Sequence, residues 1–246
     1  MRIRQCFAVV CAVALMTGAS VAAAQADKGA ASADGEVLAK AKSTRFDAVY
    51  LLPGADFRGY TKVMLDPTQV AFAKNWRRDI NQTMLLLQRT TTKDAEQIAE
   101  QTSAGFGVIF ANAFRNAGYE VVAAPGADVL RLSPQIVDLY ITAPEKVTMT
   151  PLTRIHTADA GAATLILQIR DSTTGALLGR AVDRRTAGNR GAFQGRVYSR
   201  LSITTTLSNR GDFEALFASW ARISVVGLAE LKAQSPVVPA TLAPEP

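Results

Sequence analysis

Ala163, Leu165, Leu167 and Ile169 alternate along the chain as one face of a β-strand, with Thr164, Ile166 and Gln168 between them. Side chains of a strand point to opposite faces with a period of two, so this segment has one face to bury. Asp171-Ser172-Thr173-Thr174-Gly175 follows as a hairpin loop, with glycine where a positive φ is wanted. Ala176 to Arg184 then returns as the partner strand. A hairpin with one apolar face needs a second layer to cover it.

Two amphipathic helices supply that layer. The first is expected from about Asp94 to Ala117, capped by Asp94 with Gln97 three residues on. Ile98, Phe106, Ile109, Phe110, Ala113 and Ala117 recur at helical spacing, and Gly118 supplies a stop. The second runs from about Asp212, its expected cap, to Leu231. Phe213, Leu216, Phe217, Trp220, Ile223 and Leu228 form its buried stripe. A shorter helix is expected over Trp76 to Gln88, with Ile80, Met84 and Leu87 on one side.

Strands are expected at Ala48–Leu52, Lys62–Leu65, Gln69–Ala73 and Tyr119–Val122. Val129–Leu132 and Ile136–Thr142 form another, interrupted at Pro134, which has no N–H for a ladder bond. Val197, Leu201 and Ile203 mark one more extended segment. Long helices with several short strands and hairpins imply an α+β (mixed α/β layer) fold: an antiparallel or mixed sheet with two main helices packed on one side.

Both ends of the chain read differently from this middle. Arg2 and Arg4, the apolar run Phe7–Met16 and the small-x-small step Ala24-Gln25-Ala26 make a secretory signal peptide, with cleavage expected after Ala26. The run is shorter than the roughly 20 residues of a membrane-spanning helix, and no later segment reaches that length without charges. The expected compartment is a bacterial periplasm. Residues 27–45 are small and polar and read as a flexible tether. Residues 233–246 hold Pro236, Pro239, Pro244 and Pro246 and read as an extended, disordered tail. A single domain is left over residues 46–232.

Cys6 and Cys11 both lie in the leader, so the mature chain has no thiol, disulfide or Cys-ligated metal. Their simple reading is as small apolar leader residues; lipidation of Cys11 is the alternative. The chain carries 27 Lys+Arg against 21 Asp+Glu; without Arg2 and Arg4 the balance is 25 against 21, a mild excess of four. That suits an anionic envelope surface and falls far short of a nucleic-acid-binding composition.

The order Pro53-Gly54, Phe57, Tyr60, Lys62-Val63, then Asp66-Pro67, Val70 and Phe72, then Trp76, resembles the opening of a bacterial envelope family known as domain of unknown function 3313. Asp128, Leu130 and Leu132 followed by Ile136-Val137-Asp138 are similar to its next block. So are the Asp171–Gly175 hairpin, Asp183-Arg184-Arg185 after it, and a closing helix with Trp220. The resemblance spans roughly residues 44 to 233. It implies an envelope location and no known activity, cofactor or site residue. Members are often lipoproteins, and this chain departs in lacking a lipid-accepting cysteine at the cleavage step.

Chemistry is sparse. His156 is the only histidine, and a zinc site needs three or four ligands. His156 with Asp159 could serve a distant serine, but no G-x-S-x-G elbow nominates one. Gly105 and Gly107 form a G-x-G pair inside the first long helix, where Phe110 replaces the third glycine of a phosphate loop. They read as permitting close helix packing. Asp128 and Asp138 flank one strand without forming a recognisable carboxylate pair. No catalytic residue, metal site or cofactor is nominated.

The unusual feature is a run of arginines: Arg180, Arg184, Arg185, Arg190, Arg196, Arg200 and Arg210, with only Asp183 as an acid among them. Gly188, Gly191 and Gly195 loosen its middle, and Phe193 and Tyr198 add aromatic faces. Guanidinium groups bind phosphate and carboxylate bidentately. A mobile basic loop of this kind could dock on an envelope protein, a lipid headgroup or another anionic partner; a solvated hairpin with charged edges is the simpler alternative. A non-catalytic binding or accessory protein fits best. A hydrolase using His156 and Asp159, or a small-molecule carrier, stays open.

Overall fold

The computed structural model describes residues 37–84, 89–142, 155–157, 160–188, 202–204 and 206–237. The chain opens with β1 (Ala39–Ala41), β2 (Ala48–Leu51), β3 (Lys62–Leu65) and β4 (Gln69–Phe72). Two helices follow, α1 (Trp76–Thr83) and α2 (Thr92–Asn116). Then come β5 (Glu120–Val122), β6 (Val129–Ile141), β7 (Ile155–Thr157), β8 (Gly161–Asp171), β9 (Leu177–Ala187), β10 (Ser202–Thr204) and α3 (Thr206–Gln234).

Eight strands form one mixed sheet in the order β1-β2-β9-β8-β6-β3-β5, with β4 also paired to β6. The β1, β2, β9, β8 and β6 neighbours run antiparallel. β3 and β4 lie parallel to β6, and β5 parallel to β3. Helices α1 and α2 form the crossover that parallel pairing needs. The expected α+β fold, with a mixed sheet, is what forms. β7 and β10 make a separate two-stranded ladder.

β8 buries Ala163, Leu165, Leu167 and Ile169 as the alternation predicts. Against this face pack Phe106, Phe110 and Phe114 of α2 and Phe217 and Trp220 of α3. Phe106 meets Phe217 edge-on at 5.3 Å and Trp220 at 6.5 Å, so the two helices share one aromatic seam. All six stripe residues named for α3 are buried.

Pro134 does not interrupt its strand. β6 runs unbroken, and Pro134 sits opposite Leu167 of β8. The C=O of Leu132 accepts from Asp66 N, so residue 132 and, by alternation, Pro134 turn their backbone groups toward the β3–β4 side. There the adjacent chain is itself between strands, at Asp66-Pro67-Thr68. The missing N–H therefore costs no bond to β8. A second irregularity comes at Asp138, whose φ is 51° and where the β6–β8 register shifts. This bulge moves the buried positions from Leu130, Leu132 and Ile136 to Leu139 and Ile141, changing their parity.

The helix ends also differ from expectation. Thr91, not Asp94, caps α2, and Asp94 is the reciprocal partner of a capping box. At the other end Tyr119 N donates to Phe114 O and Gly118 N to Arg115 O, while Gly118 has φ 89°. This is a Schellman stop, with the Phe114 and Tyr119 rings 5.7 Å apart across it. α3 begins at Thr206, so Asp212 lies within the helix and is no cap. α1 ends at Thr83, Met84 is already extended, and Leu87 lies outside the described residues.

The tether and tail both shrink. Within residues 27–45, Leu38 is buried, Ala39–Ala41 pair with β2, and the Arg45 guanidinium holds Glu230 of α3. Leu38 and Ala41 are buried or half-buried beside the sheet edge, whereas the neighbouring Val37 stays exposed. At the other end Gly54 N donates to Val237 O and Val237 N to Ala55 O, so residues through Val237 clamp the Pro53-Gly54 turn. Residues 1–36, including the expected leader, and 238–246 lie outside the described residues.

Candidate functional site

With α2 and α3 on one face of the sheet, the residues pointing the other way form a second face, here called the open face, on which no described helix packs. Strand register aligns them. Lys40, Tyr50, Arg180, Gln168 and Ser133 stand opposite one another across β1, β2, β9, β8 and β6. The next row is Ala48, Val182, Ile166 and Gln135, and beyond it come Arg184, Thr164 and Val137. Directly opposed side chains lie about 4.5–5.5 Å apart at Cβ, so each row is continuous. All of these residues are half-buried or exposed.

Arg180 stands near the middle of its row. Its Nε is shielded from solvent and has no hydrogen-bond partner among the described residues. Leaving such a donor unpaired costs about 1–3 kcal/mol. No described acidic side chain pairs with Lys40, Arg180 or Arg184; Asp47 accepts only the main-chain N–H of Arg184, at 2.8 Å. The face is thus cationic, with a partly apolar floor of Val182, Ile166 and Val137.

The arginine run divides. Arg180 and Arg184 lie on strand β9 and point to the open face, so this part is no mobile loop. Arg185 points to the helix side and is committed there. Its Nε donates to Asp183 at 2.5 Å and a terminal nitrogen to Ser219 Oγ at 2.5 Å, with a longer bond to Arg45 O. Asp183 is buried and also accepts from Trp220 Nε1 at 2.7 Å. Arg185 therefore ties β9 to α3 and leaves the proposed binding set. Arg190, Arg196 and Arg200 lie outside the described residues. Arg210 pairs with Glu214 one helical turn on.

Lys40 and Tyr50 were not legible as site residues, because only the β1–β2–β9 register brings them beside Arg180. His156 lies in strand β7, opposite Ile203; Asp159 is outside the described residues. Asp128 is held by Thr61 Oγ1 at 2.7 Å and by Lys62, which keeps its carboxyl below the usual range. Asp138 is the bulge residue. Gly105 and Gly107 have no neighbour that an added Cβ would meet, so they do not serve close packing. Among the described residues there is no group of three metal-ligating side chains.

Residues from separate sequence blocks meet as structural pairs. Tyr60 Oη donates to Asp171 Oδ2 at 2.8 Å. Asp66 accepts from Arg131 Nε and Ser133 Oγ, and Phe72 stacks on Trp76 at 4.1 Å. Burial, and then the Asp171 carboxylate, push the Tyr60 phenol above its ordinary value. Asp171 is held below the ordinary carboxylate value, first by the Thr174 N–H and also by the Tyr60 hydroxyl.

A second basic feature lies at α1. Phe72, Ala73, Asn75, Trp76, Arg77, Arg78, Asn81, Gln82, Arg89 and Ala95 line an open cleft of about 680 Å³ between α1 and the start of α2.

Fold and surface together define a mixed-sheet α+β protein with two helices covering one face and arginines on the other. The chain belongs to the family described as protein of unknown function (DUF3313), whose model matches residues 26–223. No curated protein matches it. Among solved structures it is similar to a PelC dodecamer from Paraburkholderia phytofirmans, at 17% identity and TM-score 0.34, covering 73% of this chain and 97% of that one. It is also similar to the hypothetical protein CT253 from Chlamydia trachomatis, at 9% identity and TM-score 0.34, covering 70% of this chain and 98% of that one. Neither likeness is near enough to transfer a feature. No helix among the described residues is long and apolar enough to cross a membrane.

Proposed function

We propose that this chain is an exported, non-catalytic accessory protein of the bacterial envelope that docks an acidic protein partner on the open face of its sheet. Export and an envelope location are supported by the leader pattern of residues 1–26 and by what the family resemblance implies. Docking is supported by one observation above the others: Arg180, shielded at Nε and without a partner there among the described residues, stands among Tyr50, Gln168 and Lys40 in one cross-strand row. Arginine and tyrosine are the anchors of protein interfaces, and the apolar floor beside them favours a protein over a flat lipid surface. A carboxylate from the partner would satisfy Arg180 and neutralise Arg184.

The test is crosslinking and recovery of the full chain from cells, comparing wild type with Arg180→Glu/Arg184→Glu. Loss of one defined adduct in the charge-reversed variant, with the fold intact, supports the docking face. Recovery of the same adduct from both proteins contradicts it.

A further inference from the structure

The cleft beside α1 is independent of the open sheet face. Residues 72–95 carry Lys74, Arg77, Arg78, Arg89 and Lys93 against two acids, Asp79 and Asp94. Asp94 accepts from the N–H and hydroxyl of Thr91 in the α2 capping box. Asp79 meets Arg78 at 3.2 Å, where both side chains are well exposed. Exposed pairs of this kind contribute little and exchange partners readily. Arg77 donates to a neutral group, the hydroxyl of Thr92, and has no acidic partner among the described residues.

The other walls are of two kinds. Phe72 stacked on buried Trp76 gives a rigid aromatic side. Asn75 makes no side-chain cap bond to α1, and Gln82 is exposed, so two amides border the cleft alongside the guanidinium groups. Asn81 is occupied, bonding both the N–H and the C=O of Thr90. The volume falls within the roughly 300–1,000 Å³ of small-molecule sites, which combine an apolar wall with a few placed polar groups.

The geometry points to a binding site for a soluble phosphate ester carried on a small ring compound. Arg77 and Arg78 bind the phosphate, Phe72 packs on the ring, and Asn75 and Gln82 take its hydroxyls. Arginine forks match a phosphate's oxygens two at a time, which a lone lysine does not. The aromatic wall adds a preference for a ring-bearing ester over the bare ion.

Isothermal titration of the full purified chain tests this with glucose 6-phosphate, inorganic phosphate, glucose and phosphatidic acid vesicles as probes. Glucose 6-phosphate is expected to bind at least tenfold more tightly than inorganic phosphate, with no heat from glucose. Arg77→Gln/Arg78→Gln should weaken it at least tenfold while leaving the melting temperature near wild type. Arg58→Gln, which removes a guanidinium paired with Asp56 and not lining the cleft, should bind as wild type. Phe72→Leu should reduce the preference for the sugar ester. No binding at millimolar glucose 6-phosphate, equal binding by the Arg77/Arg78 variant, or binding to vesicles alone would each overturn the proposal.

Discussion

The indole N–H of Trp220 on α3 donates to Oδ2 of Asp183 on β9 at 2.7 Å, and both residues are buried. The same carboxylate oxygen accepts from Arg185 Nε, and Oδ1 takes the N–H of Asp47 at 3.3 Å. One acid thus joins α3, β9 and the segment before β2. Removing it leaves the buried indole donor of Trp220 and the partly exposed Arg185 guanidinium without their shared acceptor. Asp183→Ala is expected to destabilise by at least about 1.5–3 kcal/mol, the cost of a lost charge-assisted bond to the buried indole. Trp220→Phe, which loses one charge-assisted bond and part of a ring, should cost about 1.5–3 kcal/mol from the bond alone. Urea unfolding by tryptophan fluorescence or far-UV circular dichroism measures both.

Two glycines make opposite predictions. Gly161 has φ 148°, and a Cβ built on it would lie 1.9 Å from Tyr140 O. Gly161→Ala must push β8 away from β6 and is expected to cost about 3 kcal/mol or more, in the range of severe packing and backbone conflicts. Gly105 lies mid-helix with open space at its Cβ position. Gly105→Ala should therefore stabilise by about 0.5–1 kcal/mol through helix propensity and reduced unfolded-state freedom. Thermal melts of the two variants separate them by sign.

The Asp171 hairpin makes the fold acid-sensitive over a defined window. Its carboxyl is held below the unfolded value of about 3.9 by the Thr174 N–H, against the opposing effect of burial, with further help from the Tyr60 hydroxyl. A lowered folded value means that the stabilisation is complete above the unfolded value and is lost as pH falls through the folded one. The stability gap between wild type and Asp171→Asn should be constant from pH 7 to about 5 and narrow below about 4. The Tyr60 phenol, pushed above its ordinary value, gives the opposite limb: its contribution holds below about pH 10 and fades as pH rises through the folded value. Urea midpoints across pH check both limbs, and a gap that widens on acidification contradicts the assignment.

Much of this fold could be read in advance because it rests on local periodicity. The β8 face, the Gly175 turn and the α3 stripe each repeat within one segment, and each forms as read. Features that depend on a distant neighbour were not legible. Pro134 stays in its strand only because Pro67 leaves a gap beside it, and Asp138 shifts the β6 parity through its pairing with β8. Leu38 looked like part of a tether because its burial needs β2 and β9 to be placed first. Arg184 and Arg185 are adjacent in sequence yet serve opposite faces, and only strand β9 separates their roles. Lys40 and Tyr50 join the basic face through register alone.

Site-specific photocrosslinking in cells is the most direct test of the docking face, with the reactive group placed at Gln168 on the open face or at Asn112 on the exposed side of α2. The prediction is a defined protein adduct from position 168, absent from position 112, and lost when Arg180→Glu/Arg184→Glu is added. An adduct from position 168 that survives the charge reversal, or one obtained only from position 112, would contradict a cationic docking surface on this sheet.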